Sequence, residues 1–163
     1  MTEPIQILAQ QLAAARAAKR DLPSDQIVAL FTAAKKAATD PADKNRIAAQ
    51  EIFWHLPKTN PILTAAILAV EQEIIAHDPN AEIRRRALQT AWRSCEENPA
   101  TVTAALPVIR IATQDRNATL SAQARHMQRI IFEKHPALNT EKPAAPPLTQ
   151  LAQSLAQLPP LNL

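Results

Sequence analysis

Apolar side chains recur along this chain at the three- and four-residue spacing of helices, not in the alternation of strands. Ile5, Leu8 and Leu12 share one helical face, as do Ile27, Leu30, Phe31 and Ala34, and later Ile83, Ala87 and Thr90–Ala91. The pattern predicts an N-terminal helix over 4–20 and then three helix pairs. First helices are expected at 23–39, 61–77 and 99–114, and second helices at 41–56, 79–97 and 116–134. No strand is predicted.

Two ladders of punctuation fix this frame. Pro23, Pro61 and Pro99 are spaced by 38 and 38 residues, and Pro136 follows 37 later. Asp40, Asp78 and Asp115 run in phase at 38 and 37. Asn60–Pro61 and Asn98–Pro99 each offer an N-cap followed by proline, which lacks the N–H that a first helical residue leaves unbonded. Asp40–Pro41 and Asp78–Pro79 read the same way. The repeats therefore span 23–60, 61–98 and 99–135, inside a domain of residues 1–136.

Composition sharpens this reading. Hydrophobic residues make up 47% of the 163, yet aromatics only 3%, so the apolar content is mostly alanine, leucine and isoleucine. Glycine is absent, against roughly 7% in an average chain. Phosphate-binding loops, dinucleotide fingerprints, nucleophile elbows and EF-hand loops all need glycine at fixed positions, and none fits here. The single Cys95 excludes an internal disulfide framework and reads as a small apolar residue near a helix end. The chain shows no secretion signal at its start and no apolar run long enough to span a membrane, so a cytoplasmic setting is expected. A net charge of +3 permits an acidic partner without demanding one.

The segment Asp78-Pro-Asn-Ala-Glu-Ile83-Arg84-Arg-Arg-Ala87 resembles the HEAT repeat, in which the second helix follows an Asp and then a Val/Ile-Arg pair five and six positions on. The first repeat keeps Asp40 and Arg46 but has Asn45 at the apolar position. The third keeps Asp115 and Leu120 but has Ser121 where the arginine belongs, with Pro107 eight residues before its Asp. The resemblance covers 23–135. It implies an all-α, right-handed α-solenoid of three helix-pair repeats with flanking N- and C-terminal helices. It also implies that Arg46 and Arg84 pair with aspartates of the neighbouring repeat, and that this ladder stops at the third.

Candidate chemistry is sparse. No HExxH motif occurs, and His55, His77, His126 and His135 lack metal-ligand spacing. Glu71/Glu73 and Glu96/Glu97 read as solvated carboxylates. No catalytic residue, metal or cofactor is expected. Second helices line the concave face in this family. Counting 100° per residue, Trp92 projects opposite Ile83, Trp54 is its counterpart one repeat earlier, and Arg129 holds that place in the third. One turn before them come Gln50, Leu88 and Arg125, and a further turn gives Ile47, Arg85 and Ala122. Trp54, Trp92, Arg125, Arg129, Arg85, Gln50 and Leu88 are therefore the candidate partner-binding residues. A protein or peptide is the expected partner, with nucleic acid the alternative because tryptophan and arginine can stack bases and neutralise phosphates. In the proline-rich stretch 137–163, Leu148, Leu151, Leu155 and Leu158 fall on one helical face, either as a cap for the third repeat or as a ligand helix.

Overall fold

The computed structural model describes residues 4–56 and 60–139. Among them are seven α-helices and no strand: α1 (Ile5–Ala17), α2 (Ser24–Ala37), α3 (Asp43–His55), α4 (Pro61–His77), α5 (Ala81–Glu97), α6 (Val102–Ala112) and α7 (Ala118–Lys134). The predicted first helix of the third pair is divided. Pro99–Thr101 form a 3₁₀ turn ahead of α6, and Pro107 lies within α6. The predicted tail helix around 148–158 lies outside the described residues.

Asparagine starts the helices where glycine-free turns must still satisfy orphan amides. The Asn60 side chain accepts from the N–H groups of Ile62 and Leu63, Asn80 from Glu82, and Asn117 from Leu120. Asp40 and Asp78 are not caps, contrary to the sequence expectation, and Asp115 behaves as they do. They stand two residues ahead of the capping positions, and their carboxylates accept the N–H of Ala42, Asn80 and Asn117 at 2.8, 2.8 and 2.7 Å. Each is an Asx turn that shapes the corner, leaving one carboxylate face for a distant partner. At the end of α1, Arg20 N–H returns to the Ala15 carbonyl and Lys19 N–H to Arg16. This is a Schellman closure, and Lys19 takes the left-handed position at φ 52°.

The second helices form one row. α1 packs on α3, α3 on α5 and α5 on α7, while α2 covers α3, α4 covers α5, and α6 covers both α5 and α7. A single core runs from Ala9 to Ile131. Alanines are prominent in it: Ala34, Ala49, Ala87, Ala91, Ala105, Ala112 and Ala124 are fully buried, and side chains this small let neighbouring helices approach closely.

Two buried ion pairs join successive helix pairs. Arg46 Nε donates to Asp78 at 2.8 Å, and Arg84 Nε and Nη2 donate to the two oxygens of Asp115 at 2.7 and 2.9 Å. The remaining nitrogen of each guanidinium closes its own corner. Arg46 Nη1 reaches the carbonyls of Asp40 and Pro41, and Arg84 Nη1 those of Asp78 and Pro79. The Arg84 and Asp115 side chains are 4% and 3% exposed. The third pair has Ser121 instead. Its hydroxyl donates to the Thr113 carbonyl at 2.8 Å, and Arg125, from one turn on, donates to the same oxygen at 3.3 Å.

Three stability outcomes follow from these contacts. Arg84→Ala should cost about 3–5 kcal/mol in urea unfolding, because it strands a buried carboxylate and two corner carbonyls. Arg85→Ala, from a half-exposed pair with Glu82, should cost about 1 kcal/mol at most, and equal losses would disprove the ladder. Hydrogen bonding from Arg84 holds the Asp115 carboxyl below its ordinary value. Its stabilisation is therefore complete above about pH 4 and is lost as pH falls through the lowered native value. Between about pH 5 and about pH 2 the wild type should lose stability more steeply than Asp115→Asn. Lys19→Gly should raise stability by about 1 kcal/mol, since glycine enters the left-handed region without a Cβ penalty.

Candidate functional site

The row formed by α3, α5 and α7 presents one face away from the covering helices, and most of the predicted binding residues reach it. Trp54 on α3 is half-buried. The packing of α5 on α3 sets the Arg93 guanidinium over its ring, 4.4 Å from the centroid. At that distance the cation lies over the negative face of the indole. Arg93 is also held by Glu97 one turn on. Trp92 is half-buried and rests against the core. Neither ring is wholly enclosed between helices.

Beside Trp54 a recess of about 190 Å³ opens between α3 and α5, lined by Gln50, Glu51, Arg85, Arg86, Gln89 and Thr90. Its floor is polar and buried. Gln50 Nε2 donates to Glu71 of α4 at 2.8 Å, while Gln50 Oε1 and Thr90 Oγ1 have no protein hydrogen-bond partner. The rim is charged but balanced. Arg85 binds Glu82 through two nitrogens at 2.7 and 2.6 Å, and Arg86 bridges Glu82 at 2.9 Å and Glu51 at 3.1 Å. These arginines, Arg85 foremost, hold the Glu82 carboxyl below its ordinary value, so it stays ionised. At the other edge of the face, Arg16, Lys19, Arg20 and Arg93 line a cleft of about 450 Å³ with His55, and Asp21 is the one carboxylate among the lining residues.

Several sequence expectations need correction. Leu88 is buried at 0% exposure, and Gln50, at 1%, shows only at the floor of the recess. The helical count placed them one turn from the tryptophans, but α3 and α5 are flanked on two sides and expose only a narrow strip. Arg125 remains exposed, and one of its nitrogens donates to the Thr113 carbonyl at the end of α6. Arg129 is exposed beside His126 and Glu133. Glu71 was read as solvated yet is fully buried. The signal was present, since Leu68, Glu71 and Ile75 follow helical spacing on a buried face.

Among the described residues no cluster of His, Cys, Asp or Glu could hold a metal ion, and no helix is long and apolar enough to cross a membrane. Cys95 is buried, and burial pushes its thiol up to about 11, away from the thiolate that a nucleophile requires. No protein-family model matches the chain, and no curated protein or solved structure is significantly similar to it.

The orphan hydroxyl on the floor makes a specific expectation. Thr90→Val removes a buried polar atom without a protein partner, and should leave stability unchanged or raise it by about 1 kcal/mol. A loss above about 1 kcal/mol on urea unfolding would mean that the hydroxyl is satisfied in the free protein.

Proposed function

We propose that this protein is a non-catalytic interaction module of the HEAT type. In this reading residues 23–60, 61–98 and 99–135 form three repeats of a right-handed solenoid, with α1 as an N-terminal flank. The face of α3, α5 and α7 binds a protein or peptide in a cytoplasmic setting. The observation that carries it is the half-exposed Trp54 under Arg93, beside a recess whose floor keeps buried polar atoms without protein partners. An aromatic anchor next to a few convergent polar groups is the arrangement that fixes a side chain in a groove.

Electrostatics supports a polypeptide over a nucleic acid. Arg85, Arg86, Arg93 and Arg129 are each joined to a carboxylate of Glu82, Glu51, Glu97 or Glu133. A guanidinium already neutralised by its neighbour has little to offer a phosphate backbone. Among the described residues, Arg125 of α7 and the edge cluster Arg16, Lys19 and Arg20 have no such ion pair, and the edge cluster suits a single acidic group at one end of a peptide. Trp92 and Arg129 extend the same face toward α7.

The test is capture from the native host with wild-type protein, Trp54→Ala and Arg93→Ala, followed by a salt titration of the purified complex. Trp54→Ala should weaken binding at least about tenfold, as expected of an interface anchor. Because the ring is only half-buried, the same change should lower stability by less than the roughly 3–5 kcal/mol of a core tryptophan. Unaltered capture by both variants would place the binding surface elsewhere. A steep loss of affinity between about 50 and 200 mM salt, of the order of a thousandfold, would favour nucleic acid instead.

A further inference from the structure

The two junctions between helix pairs are closed differently on the covering side. α4 packs along α6, but α2 and α4 have at most marginal contact. Between them runs a groove of about 840 Å³. Phe31 and Ala38 form one wall and Ala66, Ala69, Val70 and Ile74 the other. Exposed Lys35, Glu73 and His77 stand at its edges, and Glu73 and His77 face each other at 3.4 Å. The groove is thus apolar between its two walls, with Asp40 and the Arg46–Asp78 pair also in its lining, and carries charges of both signs. Measured along α4 from Ala66 to His77 it is about 16 Å long at 1.5 Å per residue.

The chain itself holds a segment that matches this groove. Leu148, Leu151, Leu155 and Leu158 fall within an arc of about 80° on a helix. Pro146–Pro147 precede them and Pro159–Pro160 follow, which brackets a stretch of residues 148–158 that would measure about 16 Å as a helix. No charged residue occurs after Lys142. A neutral amphipathic segment suits a charge-balanced apolar groove better than a surface of one sign. Leucines at this spacing are the anchors by which a helix lies in a groove.

Reach permits the contact within one molecule. The Leu138 carbonyl is bonded to Arg110 of α6 at 3.4 Å, so the chain leaves the described region beside α6. The groove lies on the far flank of α4, about two helix spacings or roughly 16–20 Å away. Residues 140–147 span up to about 26 Å when extended. A short tether also gives an effective concentration on the order of millimolar, so even modest intrinsic affinity keeps the segment bound.

We propose that residues 148–158 dock as a helix in the α2/α4 groove of the same chain, with the four leucines against Phe31, Ala66, Val70 and Ile74. The docked segment closes the junction that α2 leaves open.

The test uses the full chain carrying Ala69→Cys, a cysteine on the groove wall. Cys95 is buried with its thiol pushed up to about 11, so maleimide at neutral pH reports the introduced thiol. Val28→Cys, on α2 at a position 61% exposed and not among the groove's lining residues, gives the reference rate. Groove labelling should be at least about tenfold slower than the reference, as for a segment docked nine-tenths of the time. Adding Leu151→Asp and Leu155→Asp together should restore the fast rate, leave the Val28→Cys rate unchanged and leave the helical circular dichroism intact. Three results would overturn the proposal: fast groove labelling in the parent chain, slow labelling that survives both leucine changes, or slow labelling that vanishes on dilution. The last would assign the segment to a second copy. If the two aspartates disturb folding, Leu151→Ala with Leu155→Ala repeats the comparison without added charge.

Discussion

The Arg46–Asp78 and Arg84–Asp115 pairs set the spacing of everything else in this fold. Each guanidinium answers two demands at once, closing the corner ahead of its own helix and gripping the corner of the next pair. The corners need this. They are tight turns without glycine, with carbonyls at Asp40, Pro41, Asp78 and Pro79 that no helical amide can reach. Lysine could not replace arginine, because a single ammonium lacks the planar fork that addresses a carboxylate and two carbonyls together. Burying both charges recovers little net free energy, so the pairs act mainly by making other registers costly. A helix pair slipped by one residue would strand an ionised guanidinium in the core.

The third pair shows what happens when the ladder ends. Ser121 cannot reach past its own corner, and Arg125 supplies the second donor to Thr113 from one turn away. Among the described residues no helix pair follows α7, so none presents a corner aspartate to the Ser121 position. The serine serves its own corner alone. Arg125 makes its contact with Thr113 while remaining exposed.

Much of the helical framework was legible because it rests on local signals. Asn60 caps α4 as its Asn-Pro pair predicts, and the spacing of Asp40, Asp78 and Asp115 marks the corners, but the Asn80 and Asn117 caps stand two residues past the aspartates. The exact role of those aspartates was not legible, since an Asx turn and an N-cap use the same residue two positions apart. The candidate surface was harder. Trp54 and Trp92 share a face in sequence, but whether a ring is covered depends on how closely α3 and α5 approach, and buried alanines set that distance. Gln50 and Leu88 were misplaced for the same reason. The burial of Glu71 was legible from its spacing with Leu68 and Ile75, but no local feature reveals Gln50 of another helix as its partner. The α2/α4 groove had no sequence signal at all, because it arises from a packing contact that does not form.

α3 connects the α3/α5 recess and the α2/α4 groove. It carries Trp54 toward one face, lies against α2 on the other side, and holds Asp78 of the next corner through Arg46. The contact between the first and second pairs therefore depends on α3 packing against α5 and on polar links from Arg46, Gln50, Glu51 and Asp43 to Asp78, Glu71, Arg86 and Asn80, without the helix-on-helix support that α6 gives α4 and α5. That junction is the least braced in the described fold. A helix lodged between α2 and α4 would steady α2, and through it the position of α3 relative to α5. The Arg93–Trp54 stack and the recess floored by Gln50 and Thr90 both span that same α3/α5 seam. Any occupant of the groove that prefers one seam geometry must change affinity at the recess, and by linkage a ligand at the recess must change the groove's affinity for its occupant by the same factor.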